Sequence, residues 1–324
     1  MSGAEPAQAT ASAKAIRAGG DLSVKQRQGR QLAVITLGAI AIFLGLRLLP
    51  TGTNLSHMDF RVDAKNAIEF CDPLNPQFIP VVAQRSPVVM SVATDSPPIV
   101  GRPTRSVVTL RTANGKPLAP EDLVVAHTRK LHLLLVDPTL TDYQHVHPEP
   151  AREKGLWVFA FTPRATGAYR VFADFTPAAT GRGLYASVDL NVGGSPEAPI
   201  DGAKTSAVAT RELQSYIFAL EPAESPIRAG RPVDLRFTVR HREGGAVPLA
   251  PVMGAFAHLV ALDESRSGFA HLHPVETDLA APPDRRNPVL NFKLTIPKPG
   301  RYVIWSQINL GSEDMFVPFW IEVT

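Results

Sequence analysis

From about residue 87 to the C-terminus the chain repeats itself, and this limits the possible folds more than any compositional figure does. "SPPIVGRP" at 96–103 returns as "SPIRAGRP" at 225–232, an offset of 129. "KPLAPEDLVVAHTRKLHLLLVD" (116–137) runs parallel to "VPLAPVMGAFAHLVALD" (247–263), and "GAYRVFADF" (167–175) to "GRYVIWSQI" (300–308). Within a copy the apolar stretches are short, rich in β-branched and aromatic residues, and bounded by Gly, Pro, Asn or Asp, which is strand punctuation. The 30 prolines fit short strands broken by turns. The fold class is therefore all-β: two tandem immunoglobulin-like β-sandwiches, repeat 1 at 87–193 and repeat 2 at 213–324, with a linker at 194–212. Residues 51–86 read as a stalk or cap, since "FCDPLNPQFIP" is too proline-rich for a central strand. "AKNAIEFC" (64–71) suits a short helix.

Ahead of the repeats lies one apolar run, "QLAVITLGAIAIFLGLRLLP" at 31–50, uncharged from Leu32 to Leu46. Its length suits a single transmembrane helix, with Arg47 snorkelling from its end. The preceding tail, 1–30, carries five cations (Lys14, Arg17, Lys25, Arg27, Arg30) against Glu5 and Asp21, and so holds the whole net charge of +3. Positive residues before the span place the N-terminus in the cytoplasm and the body outside; in a bacterium the anchor sits in the inner membrane and the body is periplasmic. A cleaved signal peptide is the competing reading, but "LPTGTNLS" has no A-x-A-like site. The remaining chain is neutral overall and has no basic face for nucleic acid.

The candidate chemistry lies in histidines. "DYQHVHPEP" (142–150) and "GFAHLHPVE" (268–276) each carry an H-x-H pair, preceded at thirteen residues by a further histidine. The sets are His132, His145, His147 and His258, His271, His273. If each stretch is a hairpin about its central turn, His132 faces His147 and His258 faces His273. Residues i and i+2 of a strand share a face, so three imidazoles converge at one end of each sandwich. Imidazole suits copper and zinc among other ions. Weaker candidate ligands occupy matched positions in the two copies: His127 against Met253, and Asp174 against Gln307. The His/Met alternation leans toward copper, with zinc as the alternative. The competing reading makes these histidines satisfied core residues bonded to backbone carbonyls. His57, Met58 and Cys71 could form a thiol or thioether site, or be an ordinary loop and a buried thiol. Glu149 and Glu276 are single carboxylates at unequal spacing from the motif.

Catalytic patterns are missing. The one cysteine, Cys71, excludes an internal disulfide and any CxxC motif. Neither repeat contains the cysteine a blue-copper site requires. There is no HExxH, G-x-S-x-G or phosphate loop. The expectation is a protein that is not an enzyme and has no small-molecule substrate.

The pattern "LHLLLVDPTLTDYQHVHPEP" with "YRVFADF", and its partner "AHLVALDESRSGFAHLHPVE" with "YVIWSQ", resembles the YtkA-like bacterial exported β-sandwich domains. That resemblance covers 87–324 and implies an extracytoplasmic, non-enzymatic module associated with copper handling. Two functions remain open: a membrane-tethered periplasmic metal-binding protein, and an accessory subunit docking on a larger membrane-protein complex or metalloprotein partner with histidines serving the fold.

Overall fold

The computed structural model describes residues 7–48, 55–60, 76–195, 210–311 and 313–324. Cys71, the 64–71 segment and most of the linker lie outside the described residues. The chain divides into two compact units, Met1–Gly52 and Thr53–Thr324.

The first unit is helix α1, Ala7–Leu48. Its stretch Lys25–Leu46 is 22 residues long with a mean hydropathy of 1.7, long and apolar enough to cross a bilayer. The helix begins well before residue 31, so part of the basic tail is helical too. Ala-rich "AQATASAKAIRA" gives that segment high helix propensity. Leu32, Ile35 and Phe43 are exposed along the apolar stretch.

The second unit is mostly β, with four sheets in two repeated domains. The first repeat contains β1 (Val88–Thr94), β2 (Thr104–Thr112), β3 (Leu123–Val124), β4 (Leu131–Val136), β5 (Tyr143–Val146), β6 (Glu149–Pro150), β7 (Leu156–Phe161), β8 (Gly167–Pro177) and β9 (Leu184–Val192). The second contains β10 (Thr210–Leu213), β11 (Tyr216–Pro222), β12 (Pro232–His241), β13 (Leu249–Ala250), β14 (His258–Asp263), β15 (Phe269–Leu272), β16 (Val289–Thr295), β17 (Gly300–Leu310) and β18 (Glu313–Val323). Each repeat is a sandwich of one four-stranded and one five-stranded sheet. The four-stranded orders are β1-β2-β7-β6 and β10-β11-β12-β16. The five-stranded ones are β3-β8-β4-β5 with β9 beside β8, and β13-β17-β14-β15 with β18 beside β17.

Alternation along the five-stranded sheets explains how the repeats are joined. In β4, Leu131, Leu133 and Leu135 enter the first repeat's own core, whereas Leu134 and Val136 point out of it. In β14, Leu259 and Ala261 enter the second core, whereas Val260 and Leu262 point out. The outward residues of both sheets meet in a third core with Tyr143, Phe172, Tyr185, Phe269, Val303 and Trp305. The two five-stranded sheets thus pack on each other, each buried on both faces. This is why "LHLLLV" reads as an unbroken apolar run. Phe269 illustrates the seam: its ring lies 5.3 Å from Phe172 and 5.5 Å from Tyr185 of the other repeat.

The segment before the repeats splits its attachments. Leu55 and Phe60 pack into the first core, and Asp59 pairs with Lys116 at 2.8 Å. Residues 76–83 instead strap the second repeat. Phe78 enters the second core, and Ile79 exchanges backbone hydrogen bonds with Phe269 at 2.8 and 3.1 Å. Gly268 permits this approach, because a Cβ there would stand 1.8 Å from the Ile79 carbonyl oxygen. Gly268→Ala is therefore expected to cost about 2–3 kcal/mol and release the strap. Denaturant titration and limited proteolysis near residue 80 would check it; unchanged stability would refute the steric argument.

Candidate metal centre

The hairpins position the histidines. In β4–β5 the register is Leu133 with Val146 and Leu134 with His145. In β14–β15 it is Leu259 with Leu272 and Val260 with His271. Extended by one residue, the registers set His132 opposite His147 and His258 opposite His273, as the sequence spacing predicts. The turn that fixes the first register is held by Asp137, whose carboxylate accepts from the backbone N–H groups of Thr139, Thr141 and Asp142 at 2.7–2.8 Å. Asp263 does the same for Ser267 at 2.7 Å. Leu140 and Arg266 both take left-handed conformations within these turns (φ 63° and 51°).

The triads lie at the open end of each hairpin, with His132 and His258 at the start of β4 and β14 and His147 and His273 just past β5 and β15, but they do not face into a sandwich. They share a face with Leu134 and Val260, the face turned toward the other repeat. The hairpin decides which residues share a face but not what covers that face. Packing of the sheets therefore brings both triads together at the seam. Ring centroids of His145 and His271, from opposite repeats, are 5.5 Å apart, about as close as His132 and His145 within one triad (5.3 Å). In each triad the three candidate ligand atoms lie within 4.8 Å of one another. His132, His145, His258 and His271 are buried, and His147 and His273 are half-buried.

Hydrogen-bond partners assign the protons. The Nε2 of His132 lies 3.0 Å from the Ala126 carbonyl, and that of His258 lies 2.9 Å from the Val252 carbonyl. A carbonyl only accepts, so both Nε2 atoms carry hydrogen and both Nδ1 atoms are lone pairs. His145 Nδ1 lies 2.9 Å from Gln307 Oε1. Gln307 is oriented by its own Nε2, which donates to Asp314 at 3.1 Å. His145 therefore donates through Nδ1 and has its lone pair on Nε2. His271 Nδ1 faces Asp174 Oδ2 at 3.4 Å, which likewise leaves its Nε2 bare. The bare atoms face one another: His132 Nδ1 and His145 Nε2 are 3.2 Å apart, and His258 Nδ1 and His271 Nε2 are 3.3 Å apart. In addition, the Nε2 atoms of His147 and His273 are buried without a hydrogen-bond partner.

Facing lone pairs repel unless something electrophilic lies between them. A proton is opposed by the surroundings. Burial foremost, and then neighbouring rings, push the basicity of His145 and His271 far down. For the same reasons His147 falls to about 3. Burial lowers His258 to about 4 despite its bond to Val252. A metal ion suits the arrangement better: with bonds of ~2.05 Å, the nitrogens of a tetrahedral site stand ~3.3 Å apart. The donor set therefore fits an imidazole-ligated ion in each triad.

The weaker candidates take other places. Asp174 and Gln307 contact ring nitrogens, outside the triads. Each sits beside the first histidine of its own repeat, Asp174 in register with His132 and Gln307 with His258, and reaches across the seam to the middle histidine of the other. His127 is exposed and stacks on His273 of the other repeat, with centroids 3.7 Å apart. Both line a cavity of about 330 Å³ with Val275, Glu276 and Lys293. Met253 has the same left-handed backbone as His127 (φ 50° and 49°). Glu149 pairs with Arg129 and Glu276 with Asn291, away from the triad nitrogens. His57 and Met58 lie in a 3-10 turn, His57–Phe60. The crossed contacts were not foreseeable from spacing, because they join residues 162 and 97 positions apart.

A face-packed pair of β-sandwiches with histidine triads buried at the seam defines a tandem-domain protein with two candidate metal sites. The chain belongs to the family described as "Domain of unknown function (DUF8832)", which matches it twice, over residues 88–193 and 211–324. No curated protein matches the sequence. Among solved structures, a DUF4785 family protein from Legionella pneumophila is 11% identical with a TM-score of 0.24, covering 72% of this chain and 56% of its own. Salmonella alpha-2-macroglobulin reacted with methylamine is 15% identical with a TM-score of 0.22, covering 72% of this chain and 14% of its own. The chain thus spans little more than half the length of the Legionella protein.

Proposed function

We propose that the protein is a membrane-tethered, extracytoplasmic metal-binding protein, copper being the first candidate ion and zinc the alternative. The observation that carries this reading is the pair of inward-facing, proton-free nitrogens in each triad. His132, His145 and His147 would hold one ion, and His258, His271 and His273 the other. Two ligands of each triad are fixed by outer hydrogen bonds, to Ala126 and Gln307 for the first triad and to Val252 and Asp174 for the second, in a largely buried seam. The role is binding rather than catalysis. The all-imidazole donor set admits copper and zinc alike, and the YtkA-like resemblance puts copper first. Helix α1 would anchor the body in the inner membrane with its N-terminus in the cytoplasm, and a membrane-protein complex or metalloprotein would be the natural partner.

A second reading has its own support. The bonds from His132 and His258 to backbone carbonyls suit histidines that serve the fold of an accessory subunit. Metal stoichiometry separates the two. The purified body, residues 53–324, is expected to bind two equivalents of Cu(I), and to lose both in the variant carrying His145→Ala and His271→Ala. No binding above background, with unchanged stability in that variant, would leave the accessory role.

A further inference from the structure

The two triads are built alike but are not supported alike. His145 is oriented by Gln307, a neutral amide whose oxygen is 2.9 Å away. His271 is oriented by Asp174, a carboxylate at 3.4 Å. These are matched positions on β8 and β17, each beside the first histidine of its own repeat. A carboxylate behind a ligating imidazole makes that ring a better donor to a cation and offsets part of the ion's charge; an amide fixes the ring without doing so. His127 adds to the difference. It brings a further imidazole beside the second triad, stacked on His273, whereas the second repeat carries Met253 at the matched position.

Charge makes the difference count. The triads adjoin across the seam, with His145 and His271 rings 5.5 Å apart and His132 and His271 rings 6.1 Å apart. Ions held there repel through a medium of low dielectric, and the repulsion between two divalent ions is four times that between two monovalent ones. Among the described residues, Asp174 is the one carboxylate within hydrogen-bond distance of a triad nitrogen.

We infer that the two sites discriminate ions by charge. The second-repeat triad, backed by Asp174, is the site for a divalent ion, and the first-repeat triad, backed by Gln307, takes a monovalent ion readily but a second divalent ion only weakly. This rests on the proposal that the triads bind metal, and names the ion class of each.

The test titrates the body with Zn(II) and, anaerobically, with Cu(I), reading bound metal and affinity by competition with chromophoric chelators. One tight Zn(II) equivalent is expected, with a second at least about 100-fold weaker, against two Cu(I) equivalents of similar affinity. Asp174→Asn should weaken the first Zn(II) by about 10–100-fold while both Cu(I) remain. Gln307→Glu combined with Asp314→Asn, which restores a donor to the new carboxylate, should strengthen the second Zn(II) by a similar factor, which keeps the test valid if Asp174→Asn folds poorly. Two equal Zn(II) equivalents in the unaltered protein, or indifference to both sets of substitutions, would overturn the charge inference while leaving metal binding intact. Binding of neither ion would instead remove the reading beneath it.

Discussion

Lowering the pH of the metal-free body from 7 to 4 is expected to destabilise it by several kcal/mol. In the unfolded chain each histidine takes up a proton near pH 6.5. In the folded protein burial holds the seam histidines neutral to lower pH, His258 to about 4 and His147 to about 3. Between those values and 6.5 the unfolded state binds more protons, so stability is present in full above about 6.5 and drains away as the pH falls. The interval for His258 alone corresponds to ~3 kcal/mol. His132, His145, His271 and His273 shift in the same direction. Against a typical total of about 5–15 kcal/mol, the combined loss is enough to open the seam. Denaturant midpoints at pH 7.5, 5.5 and 4.5 in the presence of a chelator would measure it. Gln at positions 147 and 273 should flatten the dependence. Equal midpoints at pH 7.5 and 5.5 would show that the rings are hydrated and the seam is open.

What the sequence could reveal follows from where the information sits. The hairpin geometry was legible because it is local: a turn held by Asp137 or Asp263, then histidines at i and i+2, fixes which rings face each other. The covering of that face was not local. Hairpin symmetry is indifferent to whether His132 and His145 look onto solvent at a sandwich end or onto another sheet. One signal pointed to the answer: "LHLLLVD" and "AHLVALD" are apolar on both strand faces, and a strand in an outer layer has no use for Leu134 or Val260 on its open side. Asp174 and Gln307 were picked out by their matched positions, but their roles depend on reaching the opposite repeat, which no within-repeat spacing encodes. The stalk was legible only as proline-rich chain, and its division between Leu55 and Phe60 on the first core and Phe78 on the second is a tertiary fact.

The seam, rather than any single triad, should therefore control the metal chemistry, and Phe269→Ala is the sharpest way to show it. Phe269 is fully buried and packs on Phe172 and Tyr185 of the other repeat. Its truncation is expected to cost about 3–5 kcal/mol. Each sandwich keeps its own core, so the loss should appear as loosening between the repeats and leave both sandwiches folded. No ligand is touched, yet both middle histidines lose definition, because His145 is oriented by Gln307 and His271 by Asp174 across the same seam. Metal affinity at both sites should fall by about 10-fold or more. Phe218→Ala provides the contrast: that ring is equally buried but lies in the second repeat's own core, so a similar stability loss should leave the affinity of the folded protein nearly unchanged. Equal affinities in the two variants, measured where both remain folded, would mean that each repeat builds its site unaided. A selective loss in Phe269→Ala would mean that one repeat sets the rings the other repeat uses.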